Sequence, residues 1–160
     1  MTRVLELLAK ACAVMAGLLL TVITLMTCIS VAGRNTTGWT LVGDFELSGS
    51  AAGAAIALFM PWCQWRRGHI IVDFFTNRAT QRTQAGLDRF GALLMAIVMA
   101  LMTWRSAIGG INAWKSQAGS MMLGFPEWIV YCGIVPPLAL TALIALAQAL
   151  RGFDRAEDMA

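Results

Sequence analysis

Charge is scarce in this 160-residue chain: Asp, Glu, Lys and Arg make up only 13% of it, against about a quarter in soluble domains. With 58% hydrophobic residues and a mean hydropathy of +0.68, the shortfall excludes a water-soluble globular domain. There is one histidine, His69, so the paired axial histidines of a four-helix membrane cytochrome are excluded. The four cysteines, Cys12, Cys28, Cys63 and Cys132, show no C-x-x-C spacing. They fall in or beside apolar blocks and read as small packing residues, not as a disulfide framework or a redox centre. No glycine-rich phosphate loop is present either, which removes nucleotide-driven chemistry. Cofactors are therefore expected to be none, and nucleic acid is not an expected partner.

What the chain does have is apolar runs of spanning length. A helix needs roughly 20 apolar residues to cross about 30 Å of hydrocarbon. Four segments qualify, at about 11–32, 47–65, 87–105 and 128–150. In lipid every backbone amide must be satisfied internally, so these are read as helices. The expectation is a single all-α integral membrane domain over 1–160 with four transmembrane helices, the fourth interrupted by Pro136 and Pro137. The first segment imitates a signal peptide, with a basic start and a small-residue exit. Its 22 uncharged residues exceed the usual apolar region of about 7 to 15, which favours a retained helix.

Orientation follows from Lys and Arg. The N-terminus (Arg3, Lys10), the central loop (Arg66, Arg67, Arg78, Arg82, Arg89) and the C-terminus (Arg151, Arg155) hold nine of the twelve. Both termini and the central loop are thereby assigned to the cytoplasm, and the loops 33–46 and about 106–127 to the outer side. The tail 151–160 is cytoplasmic in this reading.

The central loop opens with "CQWRRGHIIVDFF", residues 63–75. Trp62 and Trp65 suit the headgroup level, and Arg66 and Arg67 follow where lipid phosphates attract them. Ile70, Ile71, Phe74 and Phe75 then recur at helical spacing opposite Asp73, Asn77, Gln81 and Gln84. That pattern predicts a short amphipathic helix over about 69–84 lying in the interface. His69 and Asp73 share a face of it. A metal site needs three or four ligands, so the pair reads instead as a local polar pin that holds the bend or docks a partner.

On the outer side, Trp39 precedes Asp44 and Glu46 as an interfacial anchor followed by an acidic helix start. Pro126 introduces the fourth helix, Glu127 suits its first turn, and Trp128 with Tyr131 forms an aromatic belt. Arg105 stands 16 residues after Arg89, roughly 24 Å along a helix. It is expected near the outer interface, where it either snorkels to lipid or pairs with a partner protein. The spans are otherwise nearly free of ionisable groups, whereas a transporter working alone should carry them along its route. Small residues mark packing faces on the second helix (Gly49, Ala52, Gly53, Ala54, Ala55, Ala57) and on the first (Ala13, Ala16, Gly17). These are expected to pack within a bundle.

Three stretches together carry a resemblance: "WTLVGDFEL" at 39–47, "RRGHIIVD" at 66–73 and "PEWIVY" at 126–131. With four short spans they resemble the DctQ-type small membrane subunit of tripartite ATP-independent periplasmic (TRAP) transporters, over roughly 11–150. The most specific part is the run with Gly68, His69, Val72 and Asp73. Gly109 and Gly110 followed by Trp114 and Lys115 match no pattern of that family. The resemblance implies a bacterial inner-membrane, multi-pass, non-enzymatic subunit in ion-gradient-driven solute symport. Its implied partners are a large elevator-type (DctM type) membrane subunit, a periplasmic substrate-binding protein and membrane lipids. Arg66, Arg67, Gly68, His69, Val72 and Asp73 would then form a structural or docking motif. Trp39, Asp44, Glu46, Pro126, Glu127, Trp128 and Tyr131 would serve as outer-face anchors, and the chain as scaffold. The alternative from another class is a self-contained four-helix channel or exporter working as a homo-oligomer.

Overall fold

A computed structural model of the chain describes residues 2–36, 38–39, 42–66 and 81–151. Among them are four helices: α1 (Thr2–Thr36), α2 (Asp44–Trp65), α3 (Gln81–Ser116) and α4 (Trp128–Arg151). Their order and class follow the apolar blocks, while their lengths do not. At 1.5 Å per residue α1 and α3 extend about 52 and 54 Å, well past a 30 Å hydrocarbon core. Of the expected interfacial helix, residues 69–80 lie outside the described residues, and 81–84 form the first turn of α3. Arg67, Gly68, His69, Val72, Asp73 and the tail beyond 151 also lie outside them.

Three of the helices, α1, α3 and α4, are long and apolar enough to cross a membrane. The 22-residue α2 is built from Gly, Ser and Ala where the others carry Leu, Ile and Val. It sits between neighbours, and some of its small side chains let them approach closely. Ala55 is completely buried and Ala57 nearly so.

The helices lie side by side in the order α1, α2, α4, α3. α2 packs on both α1 and α4, and α4 on both α2 and α3, whereas α1 meets α4 only marginally. Among the described residues α3 touches no helix but α4. The result is a layer one helix thick, not the bundle expected from the small-residue faces. Ala54 approaches Gly133 across the α2–α4 contact, and Ala16 and Ala55 are fully buried. Gly17, Gly49 and Gly53, however, have open space where a Cβ would stand, so that face of each makes no close contact among the described residues. In lipid there is no hydrophobic gain from pairing two apolar helices, so close packing and a few hydrogen bonds determine which faces meet.

Large apolar side chains on the layer remain exposed, among them Val14, Leu18, Val22, Leu25 and Ile29 of α1. A water-soluble protein rarely leaves so continuous an apolar surface open. Hydroxyls within the helices turn back on their own backbone. Thr21, Thr24, Thr27 and Thr103 each donate to the carbonyl four residues earlier, at 2.7–2.9 Å, which satisfies them without water. The prolines leave α4 continuous: it runs through Pro136 and Pro137, and the buried Thr141 hydroxyl donates to the Pro137 carbonyl at 2.8 Å.

Candidate functional site

The polar contacts that order the layer are concentrated at its two ends. At the end where α1 finishes, the chain turns into α2 through Gly43, whose φ of 80° lies in the left-handed region. A side chain there would also collide with Leu123 from the loop between α3 and α4. Glycine is therefore required at this position both for backbone conformation and for space.

The two carboxylates that follow reach in opposite directions. Asp44 Oδ2 accepts the hydroxyl of Ser30, a buried residue of α1, at 2.5 Å, the length of a charge-assisted bond. Thr27 and Ser48 lie 3.5 Å apart one turn further in. Glu46 accepts the backbone N–H of Met122 at 3.0 Å through Oε1 and that of Leu123 at 3.3 Å through Oε2. Those residues are the tip of a small hairpin closed by a bridge between Gly119 and Pro126 and by the Ser120 to Phe125 bond of 2.9 Å. The Ser120 hydroxyl and the N–H groups of Met122, Leu123 and Met121 hold the Glu46 carboxyl below its usual pKa, against a partial opposing effect of desolvation. Asp44 thus fastens α2 to α1, and Glu46 fastens it to the loop that leads into α4.

The aromatic residues make contacts between helices at this level. Trp114 and Trp128 meet edge to face with ring centroids 4.7 Å apart, a favourable aromatic geometry. Tyr131 lies against Gly109 and Gly110, where an added Cβ would come within 3.0 and 2.9 Å of it. The glycine pair that matched no family pattern is a seat for Tyr131. Because that seat is helical, α3 continues to Ser116 and the loop between α3 and α4 starts about ten residues later than the sequence suggests. Pro126 and Glu127 stand immediately before α4, which begins at Trp128 with no acid in its first turn; their carbonyls accept from Ile129 at 3.2 Å and Val130 at 3.0 Å. Trp39 is exposed, and its backbone carbonyl packs against Gly33 near the end of α1.

At the other end, buried Gln64 donates through Nε2 to Gln148 Oε1 at 2.8 Å, and Gln148 Nε2 donates to the Gln64 carbonyl at 3.1 Å. This joins α2 to α4 where both approach the side opposite the acids. Arg66, at the C-cap of α2, lies over the Trp62 ring with its guanidinium carbon 5.8 Å from the centroid, a cation–π arrangement. Of the six-residue motif beginning there, only Arg66 falls among the described residues.

Sequence reasoning singled out Asp44, Glu46, Trp128 and Tyr131 but not Ser30, Gly43, Ser120, Gln64 or Gln148. A signal existed for two of these: Gln64 and Gln148 are polar side chains near the ends of apolar runs. Arg105 is exposed on α3 and stands apart from both polar ends. Gly110, Trp114, Trp128 and Tyr131 line one apolar groove, while Ser30, Asp44, Glu46, Gln64 and Gln148 fasten helices and loops to one another.

Residues 23–155 match the family model described as tripartite ATP-independent periplasmic transporters, DctQ component. No curated protein sequence and no solved structure matches the chain.

Proposed function

The chain belongs to the DctQ family of tripartite ATP-independent periplasmic transporters, a family of transporter components rather than enzymes, and from that membership we propose that it is the static scaffold of such a complex. In this reading all four helices cross the bacterial inner membrane, α2 included, with both termini cytoplasmic. The larger DctM-type subunit carries substrate and coupling ion, a periplasmic binding protein delivers the solute, and this chain widens and anchors the fixed part. Arg66, Arg67, Gly68, His69, Val72 and Asp73 hold the cytoplasmic bend and dock the partner, with an interfacial helix following them. Lipids complete the surface.

The observation that carries this reading is the one-helix-thick layer. A row of helices in which α1 and α4 meet only marginally and α3 reaches α4 alone among the described residues frames no passage shared by all four, and its tightest polar contacts brace the two ends instead of lining a route. A chain that moved solute by itself would need ionisable or polar groups facing a shared interior.

Reconstitution tests it. The chain alone in proteoliposomes is expected to give no solute or ion flux, and flux to appear only with the large membrane subunit and the binding protein present. Flux through the isolated chain would instead support a homo-oligomeric channel or exporter.

A further inference from the structure

Arg105 is the one charged side chain of α3 between Arg89 and Lys115, and the joined rings of Trp114 and Trp128, taken as the interfacial level that tryptophan favours, give the reference for its depth. It lies nine residues before Trp114, or about 13 Å along the helix. Neighbouring α4 is continuous and apolar from Trp128 to Leu150, so the level of Arg105 falls within the span of α4. Snorkelling works when a long side chain lies within its own length of the interface, and this distance exceeds the length of an arginine side chain. A helix tilt of about 20° shortens it only slightly.

No acid of this chain answers the charge among the described residues. Asp44, Glu46 and Glu127 belong to the outer end beyond the aromatic level, Glu6 is on α1, which does not touch α3, and Asp88 is 17 residues away along α3. Arg105 is nevertheless exposed. The two sides of α3 also differ. One carries Ala107, Ile111 and Trp114, which with Trp128, Cys132 and Pro136 line an apolar groove. At 3.6 residues per turn Arg105 is about 200° from Ala107, on the other side. There it shares a stripe with the exposed residues Val98, Leu101 and Asn112.

We propose that Arg105 is neutralised inside the bilayer by a carboxylate on a transmembrane helix of the larger membrane subunit, so that the Arg105 side of α3 meets the partner and the groove side faces lipid acyl chains. The inference rests on reading the chain as a subunit of a membrane complex. A carboxylate is the fitting counter-ion because a partner helix can present one at any depth, whereas lipid phosphates stay outside the aromatic level. Guanidinium and carboxylate also pair through two parallel hydrogen bonds, which in a water-free contact sets register as well as strength.

The test is site-specific photocrosslinking in the intact complex in native membranes, with benzophenone side chains placed at Leu101 and Asn112 on one side and at Ala107 and Ile111 on the other. The large subunit is expected to be captured from Leu101 and Asn112 and not from Ala107 or Ile111. In parallel, Arg105→Glu should lower co-purification of the large subunit roughly tenfold or more, Arg105→Lys should retain part of it, and an acid-to-arginine change in the partner should restore Arg105→Glu. Capture from Ala107 and Ile111 alone, or an Arg105→Leu chain that assembles and transports as the parent does, would overturn the proposal and leave the scaffold reading standing. Failure to capture any large membrane protein from positions on all four helices would overturn both.

Discussion

Gln64 and Gln148 bond to each other twice across the α2–α4 contact, side chain to side chain at 2.8 Å and side chain to backbone at 3.1 Å. They are far apart in sequence, and each amide meets hydrogen-bonding needs of the other in a part-buried contact. The parallel pair of central helices is held by this clamp at one end and by the close approach of Ala54 to Gly133 towards the other.

Replacing Gln148 with Leu should therefore cost about 1 kcal/mol, the range measured for interhelical hydrogen bonds in membranes. Gln64→Leu should cost a similar amount, and the double variant should cost less than the two together because each single change already removes the side-chain bond that they share. Unfolding of the purified chain in mild detergent checks this. Strict additivity would show that the two side chains act independently.

Glu46 supports a pH prediction. Its carboxyl pKa is lowered in the folded chain by Ser120 and the hairpin N–H groups. The unfolded chain therefore binds more protons between the folded value and the ordinary value of 4.5, and stability rises with pH across that window. The contribution is complete above 4.5 and is lost as pH falls through the folded value. The Tm difference between the parent and Glu46→Gln should stay constant above the ordinary value and shrink below it. A difference that instead grows on acidification would contradict the assigned contacts.

The glycines divide into two groups. At Gly110 an added Cβ meets the Tyr131 Cβ at 2.9 Å, an atom tied to the α4 backbone. Gly110→Ala should destabilise by about 1–3 kcal/mol through overpacking. Gly17→Ala, Gly49→Ala and Gly53→Ala meet nothing within 4 Å and should be neutral or stabilising by up to about 1 kcal/mol, since alanine is the better helix former. Thermal unfolding of the four single variants of the isolated chain separates these outcomes.

Asp73→Ala should lower assembly with the large subunit, or the amount of protein in the membrane, more than it changes apparent substrate affinity. Quantitative co-purification alongside uptake kinetics distinguishes the two effects. A pure affinity change with normal assembly would remove Asp73 from the docking motif.

The acids at the start of α2 show how far residue-level reading reaches. Asp44 and Glu46 stood out because carboxylates favour a helix N-terminus. Their partners were not legible. Ser30 lies in another span with nothing local to mark it, and the hairpin amides that hold Glu46 belong to a loop 76 or more residues away. Gly109 and Gly110 fall in the expected loop because the third apolar run is read as ending at Arg105. They are helical because Tyr131, supplied by α4, fills the space they leave.

What the sequence by itself determined is the class and the succession of helices. Scarce charge and four long apolar runs allow nothing else in lipid, where each backbone must satisfy its own hydrogen bonds. What only the tertiary structure decided is the order α1, α2, α4, α3, the pairing of Gln64 with Gln148, and the joining of Trp114 to Trp128. Uniformly apolar spans carry no periodicity that says which side faces a neighbour. Their association is governed by the fit of small surfaces and by a few bonds between distant residues, and those exist only once the helices are side by side.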